Sequence, residues 1–293
     1  MWSVHGRSLS SLVSCLGISS GSGRVDSLVI YLIREGLTDT RSLHRFDVCQ
    51  PVRVLVSRAD GEYIWQWVWV AGGNVKPKFW LERWQKNQIG FHQAEHNQLL
   101  LEFWGETGLT PGDRVFVPLC GKSLDMHWLV HAGHPVTGVE MAQIAVDTFF
   151  AEAGLQPSAE VADRFMRYRT PNLDILLGDF FDLTAPLLED VQGIFDRGAL
   201  VALPPDMRFR YVDHLLRIVP DETRILLLTF EYDQNLVAGP PHCVTPEEVE
   251  RLFGNRCEIR LVESIVTELL PPHFADQGVG KAVESVYVIT KTN

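Results

Sequence analysis

The sequence lacks long apolar runs, and it has no excess of positive charge. Apolar runs such as ILLL at residues 225–228 are far shorter than the roughly 20 residues that span a bilayer. The chain of 293 residues carries a formal net charge of −11. This charge argues against nucleic acid or an anionic membrane surface as the main partner. Its apolar fraction of 46% is that of a globular protein with a sizeable core.

Cysteine is also scarce, and no metal motif is evident. The five cysteines form no C-x-x-C pair and no metal-ligand spacing, and they stand at positions 15, 49, 120, 243 and 257. Scattered thiols in odd number fit a reducing cytoplasm better than a disulfide framework. His92 and His96 lie four residues apart, but neither a third ligand nor an H-E-x-x-H motif accompanies them. We therefore expect no metal site.

A phosphate-binding P-loop is missing as well, although residues 121–123 read GKS. The motif G-x-x-x-x-G-K-[ST] needs a first glycine five residues earlier, where this chain has Phe116 in an apolar stretch. Residues 114–119 instead predict a strand, followed by a tight turn at residues 120–121 and a helix opened by Ser123. This is the first half of a Rossmann-like βαβ unit, whose ligands lie beyond the carboxyl ends of the strands.

The chain changes character near residue 75. Residues 1–75 hold seven arginines, six acidic residues and no lysine, whereas all six lysines lie in residues 76–293. Serine and glycine clusters with weak periodicity predict that residues 1–75 are a poorly ordered N-terminal extension. In an alternative interpretation the start is mis-annotated: Val75 is the initiator, read from a valine codon, and the residues before it are adventitious.

Strands and helices alternate regularly through residues 76–293, which predicts an α/β fold with a mainly parallel sheet. Apolar residues at helical spacing predict a first helix over residues 91–106. The last two strands, residues 257–265 and 283–289, have no clear helix between them, which favours an antiparallel pair at the sheet edge. The other predicted strands are 136–139, 173–177, 193–195 and 224–230, and the other predicted helices are 123–131, 142–153, 204–218 and 246–253.

Glu140 ends the second predicted strand, about 20 residues beyond the first turn. An acid at this point commonly binds the ribose hydroxyls of an adenine-containing cofactor, although it can also be a solvated acid at a strand end. The first turn lacks the glycines of G-x-G-x-x-G, which let a backbone approach a pyrophosphate. A small cofactor without phosphates, such as S-adenosylmethionine, is therefore favoured over a nicotinamide dinucleotide.

Two further pairs of residues follow later strands. Asp196 and Arg197 come directly after residues 193–195, at a switch point of the predicted sheet. A buried arginine needs an anionic or carbonyl partner, so we expect both residues to be paired, either in a ligand site or as a structural ion pair. Asp179 and Phe180 follow the third strand, where they can lie against an adenine ring and its amino group. Phe180 can equally be a core residue.

Several short motifs are specific as a set. FWLERW at residues 79–84 and GFHQ at residues 90–93 form either a lid over a flat ligand or a helix that covers the sheet. The other motifs are VPLCGK at 117–122, GVE at 138–140, FDL at 181–183, DRGALVA at 196–202 and GPP at 239–241. Together they resemble the thiopurine S-methyltransferase family, most closely its bacterial members, over about residues 76–291.

This resemblance implies a class I S-adenosylmethionine-dependent methyltransferase: a seven-stranded, mainly parallel sheet with an antiparallel last strand and helices on both faces. It implies a monomer that methylates the sulfur of a small aromatic or heterocyclic thiol such as a thiopurine. The acceptor is then near Phe91. The cofactor is placed against Trp80, Trp84, Leu119, Glu140, Asp179, Phe180 and Arg197. One departure is that residues 269–273 read LLPPH, where mammalian members carry a substrate-side arginine.

We therefore expect Asp196 and Arg197 to orient cofactor and acceptor for an in-line displacement. Aromatic thiols lose a proton near neutral pH, so the thiolate can attack without a covalent enzyme intermediate, and Cys120 is not expected to act as a nucleophile. Two alternatives stay open. One is methylation of selenium or tellurium oxyanions. The other is a non-catalytic nucleotide-binding module, which would need neither Glu140 nor the pair of Asp196 and Arg197.

Overall fold

A computed structural model describes residues 31–32, 50–57, 63–70, 77–268, 270 and 272–292. The chain divides into two compact units, Met1–Asn74 and Val75–Asn293. The described strands of the first unit are Tyr31–Leu32 (β1), Gln50–Ser57 (β2) and Tyr63–Val70 (β3). They pair antiparallel in the order β1-β2-β3. The prediction of a poorly ordered extension falls mostly on residues outside the described ranges, and it stays a prediction.

The described part of the second unit alternates strands and helices, as the periodicity predicts. Its strands are Arg114–Val117 (β4), Val136–Glu140 (β5), Ser158–Ala162 (β6), Phe165–Arg169 (β7), Leu173–Leu177 (β8), Val191–Asp196 (β9), Arg224–Glu231 (β10), Cys257–Thr267 (β11) and Ala282–Lys291 (β12). Its helices are Pro77–Gln85 (α1), Gln98–Phe103 (α2), Asp125–His131 (α3), Gln143–Glu152 (α4), Pro205–Ile218 (α5), Pro246–Phe253 (α6) and Pro272–Ala275 (α7).

The strands of the second unit form one sheet in the order β11-β12-β10-β9-β4-β5-β8-β7-β6. Strands β8, β5, β4, β9 and β10 are parallel, whereas β12 is antiparallel to both β10 and β11. The predicted mainly parallel sheet with an antiparallel last strand is therefore confirmed. The predicted count of seven strands is wrong, because the hairpin of β6 and β7 extends the sheet by two. Most side chains of β6 are exposed, so this strand lacks the apolar pattern that reveals a buried one.

Helices cover both faces of this sheet, as predicted. Helices α2, α3 and α4 pack on one side, called here the front face, through residues such as Leu100, Met126 and Phe149. Helices α5 and α6 pack on the other side, the back face, through residues such as Tyr211 and Leu252. Among the helices in the described ranges, none is long and apolar enough to cross a membrane.

The helix predicted over residues 91–106 is wrong in its first half. The Asn97 side chain accepts hydrogen bonds from Leu99 N and Leu100 N, so α2 begins only at Gln98. Such an N-cap stabilises a helix by about 1 kcal/mol. A 3₁₀ turn, Trp104–Thr107, continues α2. The residues from 88 to 97 instead form an irregular segment between α1 and α2.

Candidate active site

The turn after β4 brings the backbone close to α1. Leu119 and Gly121 have positive φ angles of 46° and 53°. A Cβ atom at Gly121 would lie 3.2 Å from Cζ2 of Trp84, so both the backbone conformation and the close approach favour glycine. Cys120 N donates a hydrogen bond to Val139 O at 2.9 Å, which ties the turn to β5. Leu119, a predicted cofactor contact, lies half-buried in this turn.

Glu140 lies at the end of β5 and is held by the turn. Its side chain is 7% exposed, so the alternative of a solvated acid does not fit. Oε2 accepts a hydrogen bond from Gly121 N at 2.9 Å, and Oε1 accepts from Met141 N at 2.8 Å and Ala142 N at 2.7 Å. We call this arrangement the Glu140 cradle. Burial raises the pKa of Glu140, and the three N–H groups oppose that rise.

The Glu140 cradle has capacity left for a ligand. An ionised carboxylate offers about four acceptor positions. Three are used by backbone N–H groups of the described residues, and the fourth is on Oε2. A hydroxyl donor such as a ribose hydroxyl therefore fits this oxygen without displacing a backbone contact.

Asp179 and Phe180 follow β8, beside the Glu140 cradle in the sheet order. Oδ1 of Asp179 accepts a hydrogen bond from Phe181 N at 2.9 Å, and within the described residues Oδ2 has no hydrogen bond. The ring of Phe180 is 3% exposed and packs against Tyr211 and His214, with ring centroids 4.8 and 5.3 Å away. Phe180 is thus a core residue by its side chain, and its contact with the cofactor stays a prediction.

Trp80, Trp84 and Phe91 form one aromatic cluster beside the turn. Phe91 packs edge-on against Trp80 and Trp84, with ring centroids 5.6 and 5.5 Å away. Trp84 is 7% exposed and packs on Ala142 and Ala145, whereas Phe91 is 41% exposed. The segment combines the two predicted roles: Trp84 covers the start of α4, and Phe91 presents an open aromatic wall.

Asp196 and Arg197 have different surroundings, and the predicted ion pair between them is not formed. Asp196 is 1% exposed; its Oδ2 accepts a hydrogen bond from the Tyr211 hydroxyl at 2.7 Å, and its Oδ1 accepts from Leu200 N at 3.1 Å. Burial raises the pKa of Asp196. Asp196 is the last residue of β9 and faces the back, as Ile194 does, whereas Arg197 lies beyond the strand and near Asp125 of the front-face helix α3. These contacts are those of a structural anchor, and a catalytic role for Asp196 stays a prediction.

Arg197 lies among charged groups without touching them. Burial lowers its pKa, while the charges of Asp125 and Glu284 raise it. Burial also lowers the pKa of His92, which the charges of Lys122 and Arg197 lower further. Within the described residues the Arg197 side chain has no hydrogen bond and no ion pair, so the alternative of a structural ion pair is wrong, and pairing in a ligand site stays a prediction. We call His92, Asp125, Arg197 and Glu284 the Arg197 cluster.

Sequence reasoning missed Asp125 and Glu284, and it considered His92 only as a metal ligand. Asp125 is 2% exposed, and its Oδ1 and Oδ2 accept hydrogen bonds from Asn97 N at 2.8 Å and the Ser123 hydroxyl at 2.9 Å. Glu284 carried a usable signal, because it is the one acidic residue of the mostly apolar strand β12. Over the described residues, no group of three or more His, Cys, Asp or Glu side chains is placed to hold a metal ion.

The sheet order and the acid at the end of β5 define the class I methyltransferase fold, and solved structures agree. An S-adenosylmethionine-dependent methyltransferase from Anabaena variabilis ATCC 29413 matches with a TM-score of 0.51 and 12% identity, over 73% of this chain and 94% of that chain. The 1,6-didemethyltoxoflavin-N1-methyltransferase of Burkholderia thailandensis, solved with 1,6-didemethyltoxoflavin and S-adenosylhomocysteine, matches with a TM-score of 0.50 and 14% identity, over 82% and 96%.

The family follows from more specific matches. The family model described as Thiopurine S-methyltransferase matches residues 75–292. A thiopurine S-methyltransferase of Nitrosospira multiformis is 44% identical over 215 residues, which cover 73% of this chain and 98% of that protein. One from Marinobacter nauticus is 44% identical over 218 residues, covering 74% and 100%. The chain belongs to the thiopurine S-methyltransferase family, and it is a methyltransferase. The resemblance seen in its motifs is confirmed.

Proposed function

We propose that this chain transfers a methyl group from S-adenosylmethionine to the sulfur of an aromatic or heterocyclic thiol of the thiopurine class. The observation that carries the proposal is the Glu140 cradle, in which a buried carboxylate keeps one acceptor position at the carboxyl edge of the sheet. Membership of the family supports the thiopurine acceptor, because the similar relatives carry that name.

The residues of the cofactor side fit S-adenosylmethionine. Glu140 would accept a hydrogen bond from a ribose hydroxyl, and the free Oδ2 of Asp179 would accept one from the adenine amino group. The turn with Leu119 and Gly121 would let the cofactor approach the backbone closely, and Trp80 and Trp84 supply an apolar wall beside this turn. None of these contacts requires a phosphate group on the ligand, in agreement with the missing P-loop.

The acceptor side holds and activates a thiol. Phe91 offers a flat, partly exposed ring against which an aromatic acceptor can pack. Arg197 supplies a positive charge in a partly desolvated position, where it favours the thiolate over the neutral thiol. The thiol proton goes to solvent. When bound, S-adenosylmethionine would supply an electrophilic methyl carbon bonded to a sulfonium sulfur. A thiolate would attack this carbon as its bond to the sulfonium sulfur breaks, which gives a thioether and S-adenosylhomocysteine.

The activity is further proposed to belong to residues 76–293, acting as a monomer in a reducing cytoplasm. Two observations support parts of this view. The family match covers residues 75–292, and the described cysteines Cys120, Cys243 and Cys257 are free thiols. Burial raises the pKa of Cys120, which keeps this thiol protonated and supports the expectation that it is not a nucleophile.

A methyl-transfer assay with labelled S-adenosylmethionine tests the proposal. Aromatic thiols, thiopurines, selenite and tellurite are offered in parallel at equal concentration. We expect transfer to thiopurines and aromatic thiols at rates well above those for the two oxyanions. Faster transfer to selenite or tellurite would replace the proposed acceptor by the oxyanion alternative, and no transfer to any of them would contradict the proposal.

A further inference from the structure

Glu284 and Arg197 face the same side of the sheet. In β12, Glu284 pairs with Phe230 of β10 and Ile265 of β11. Side chains alternate along a strand, so Glu284 points to the face of Val286, which belongs to the front-face core. Phe195 of β9 belongs to the same core, and Arg197 follows β9 directly, where it lies near Asp125 of the front-face helix α3. Both charges therefore lie above the front face at the carboxyl edge of the sheet.

The two side chains influence each other without meeting. Burial raises the pKa of Glu284, and the charge of Arg197 opposes that rise. Neither side chain has a hydrogen bond or an ion pair within the described residues. Strand β10 separates β9 from β12, so their backbones are about 10 Å apart. Among the described residues, a partly buried carboxylate and a partly buried guanidinium thus influence each other while neither has a hydrogen-bonding partner.

Burying charges without partners costs free energy, which a ligand that supplies both partners recovers. A guanidinium has only donors, and a carboxylate has only acceptors when it is ionised. A ligand that bridges them must carry an acceptor or an anion on one edge and an N–H donor on another. Asp125, the other acid near Arg197, is already engaged by Asn97 N and the Ser123 hydroxyl.

We propose that Glu284 recognises the acceptor by accepting a hydrogen bond from a ring N–H group, while Arg197 faces the sulfur or a ring nitrogen of the same molecule. The inference rests on the proposed function and ranks its acceptors: heterocyclic thiols with a ring N–H should bind more tightly than aromatic thiols without one. It also assigns to Glu284 part of the acceptor recognition for which mammalian members carry an arginine, where this chain reads LLPPH at residues 269–273.

The same carboxylate selects against other acceptors. A thiophenol has no ring N–H, so it gains nothing from Glu284. An acceptor with an added carboxylate, such as thiosalicylate, and a small oxyanion such as selenite both bring negative charge towards Glu284 and Asp125. Like charges at such positions repel, which weakens binding.

Equilibrium binding tests this inference without relying on turnover. Full-length protein saturated with S-adenosylhomocysteine is titrated with 6-mercaptopurine, thiophenol and thiosalicylate. The same titrations are made with Glu284→Leu, with the isosteric Glu284→Gln, and with the control Glu258→Leu on exposed β11. Unfolding midpoints and S-adenosylhomocysteine affinity are measured for each variant, so that a folding or cofactor defect is seen separately.

We expect Glu284→Leu to weaken 6-mercaptopurine binding about tenfold or more, because it removes a charge-assisted hydrogen bond. Glu284→Gln, which keeps an acceptor oxygen, should weaken it less. Thiophenol binding should not weaken, thiosalicylate should bind more tightly to both variants, and Glu258→Leu should match the wild type. If both Glu284 variants bound all three ligands equally more weakly, or if no affinity changed, this inference would be overturned and the proposed function would stand. A wild type that binds 6-mercaptopurine without methylating it would overturn the proposed function alone.

Discussion

The Glu140 cradle and the Arg197 cluster lie at the same edge of one sheet, yet they are built in opposite ways. In the cradle, three backbone N–H groups hold a single carboxylate at distances of 2.7 to 2.9 Å. In the cluster, the side chains of Arg197 and Glu284 alter each other's pKa but have no hydrogen-bonding partner within the described residues. Backbone groups fix the first arrangement, and we infer that a bound acceptor completes the second.

The contrast has a physical reason. A backbone N–H in a tight turn is already ordered when the chain folds, so holding Glu140 requires no further loss of side-chain freedom. Arg197 and Glu284 are long side chains, and ordering them without a ligand would cost conformational entropy. The Glu140 cradle is therefore pre-organised, whereas the Arg197 cluster is left adaptable.

The largest effect is expected from Arg197→Lys, which changes the cluster and leaves the cradle intact. A lysine keeps the charge but cannot reproduce the planar two-pronged contact of a guanidinium. Turnover of a thiopurine should fall roughly 10- to 150-fold, the equivalent of about 1.5–3 kcal/mol for a charged hydrogen bond. Steady-state kinetics measure this, with the exposed Arg164→Lys as control. Unchanged turnover would remove Arg197 from the chemistry.

Tyr211→Phe tests whether Asp196 is a structural anchor or takes part in catalysis. The change removes the hydroxyl that donates to Asp196 Oδ2, and the free energy of unfolding should fall by roughly 1–3 kcal/mol. The pKa of Asp196 is already raised by burial and would rise further, so the loss should be larger at a pH above that pKa than at a pH below it.

Denaturant unfolding at both pH values measures this effect, with Tyr168→Phe as the matched control on a partly exposed tyrosine. The anchor role predicts that turnover of the folded Tyr211→Phe enzyme stays near that of the wild type. A large fall in turnover with little loss of stability would instead favour the catalytic role predicted for Asp196.

Phe91→Ala should impair the binding of the acceptor and leave the binding of the cofactor unchanged. Removing the exposed ring should raise the KM for an aromatic thiol about two- to tenfold, as expected for an aromatic contact of about 0.5–1.5 kcal/mol. Cofactor affinity should stay near the wild-type value, and Phe209→Ala, on an exposed ring of α5, is the control. A stability loss of about 3–5 kcal/mol with unchanged KM would identify Phe91 as core.

The smallest effect is expected from removing the N-terminal extension. A truncated chain that begins at Lys76 retains nearly all residues matched by the family, and it should keep the activity and melting temperature of the full chain. Calorimetry and kinetics on both chains measure the difference. A fall of several degrees in the melting temperature would show that residues 1–75 contribute to the stability of the domain.

Much of the fold was predictable because its strands are buried on both faces. Leu173–Leu177 and Pro246–Phe253 were predicted with the bounds that the structure has, since apolar runs and a proline near the helix start mark them clearly. The hairpin of β6 and β7 was missed because its strands are short and mostly exposed, so that no buried apolar run marks them. The helix from residue 91 was wrong because Asn97 caps α2 later than the apolar spacing indicates.

The residues of the candidate site were predictable only where their place at the end of a strand is enough to indicate a role. Glu140 stood out because an acid at the end of the second strand has a known use in this fold. Glu284 lies 144 residues later, and only the order of β9, β10 and β12 brings it near Arg197. Asp196 and Arg197 differ because β9 ends between them, a boundary that the apolar run at residues 193–195 does not mark.

The most direct test of the account is the affinity of S-adenosylmethionine for wild type and Glu140→Gln as the pH is lowered. The ionised carboxylate is the acceptor, so wild-type affinity should be full above the pKa of Glu140 and be lost as the pH falls through it. Because burial raises that pKa, the loss should begin at a higher pH than for an ordinary glutamate. Glu140→Gln should bind roughly 10- to 150-fold more weakly at neutral pH and show no such dependence. Equal affinity of the two proteins across this range would contradict the assignment of the cofactor to the Glu140 cradle.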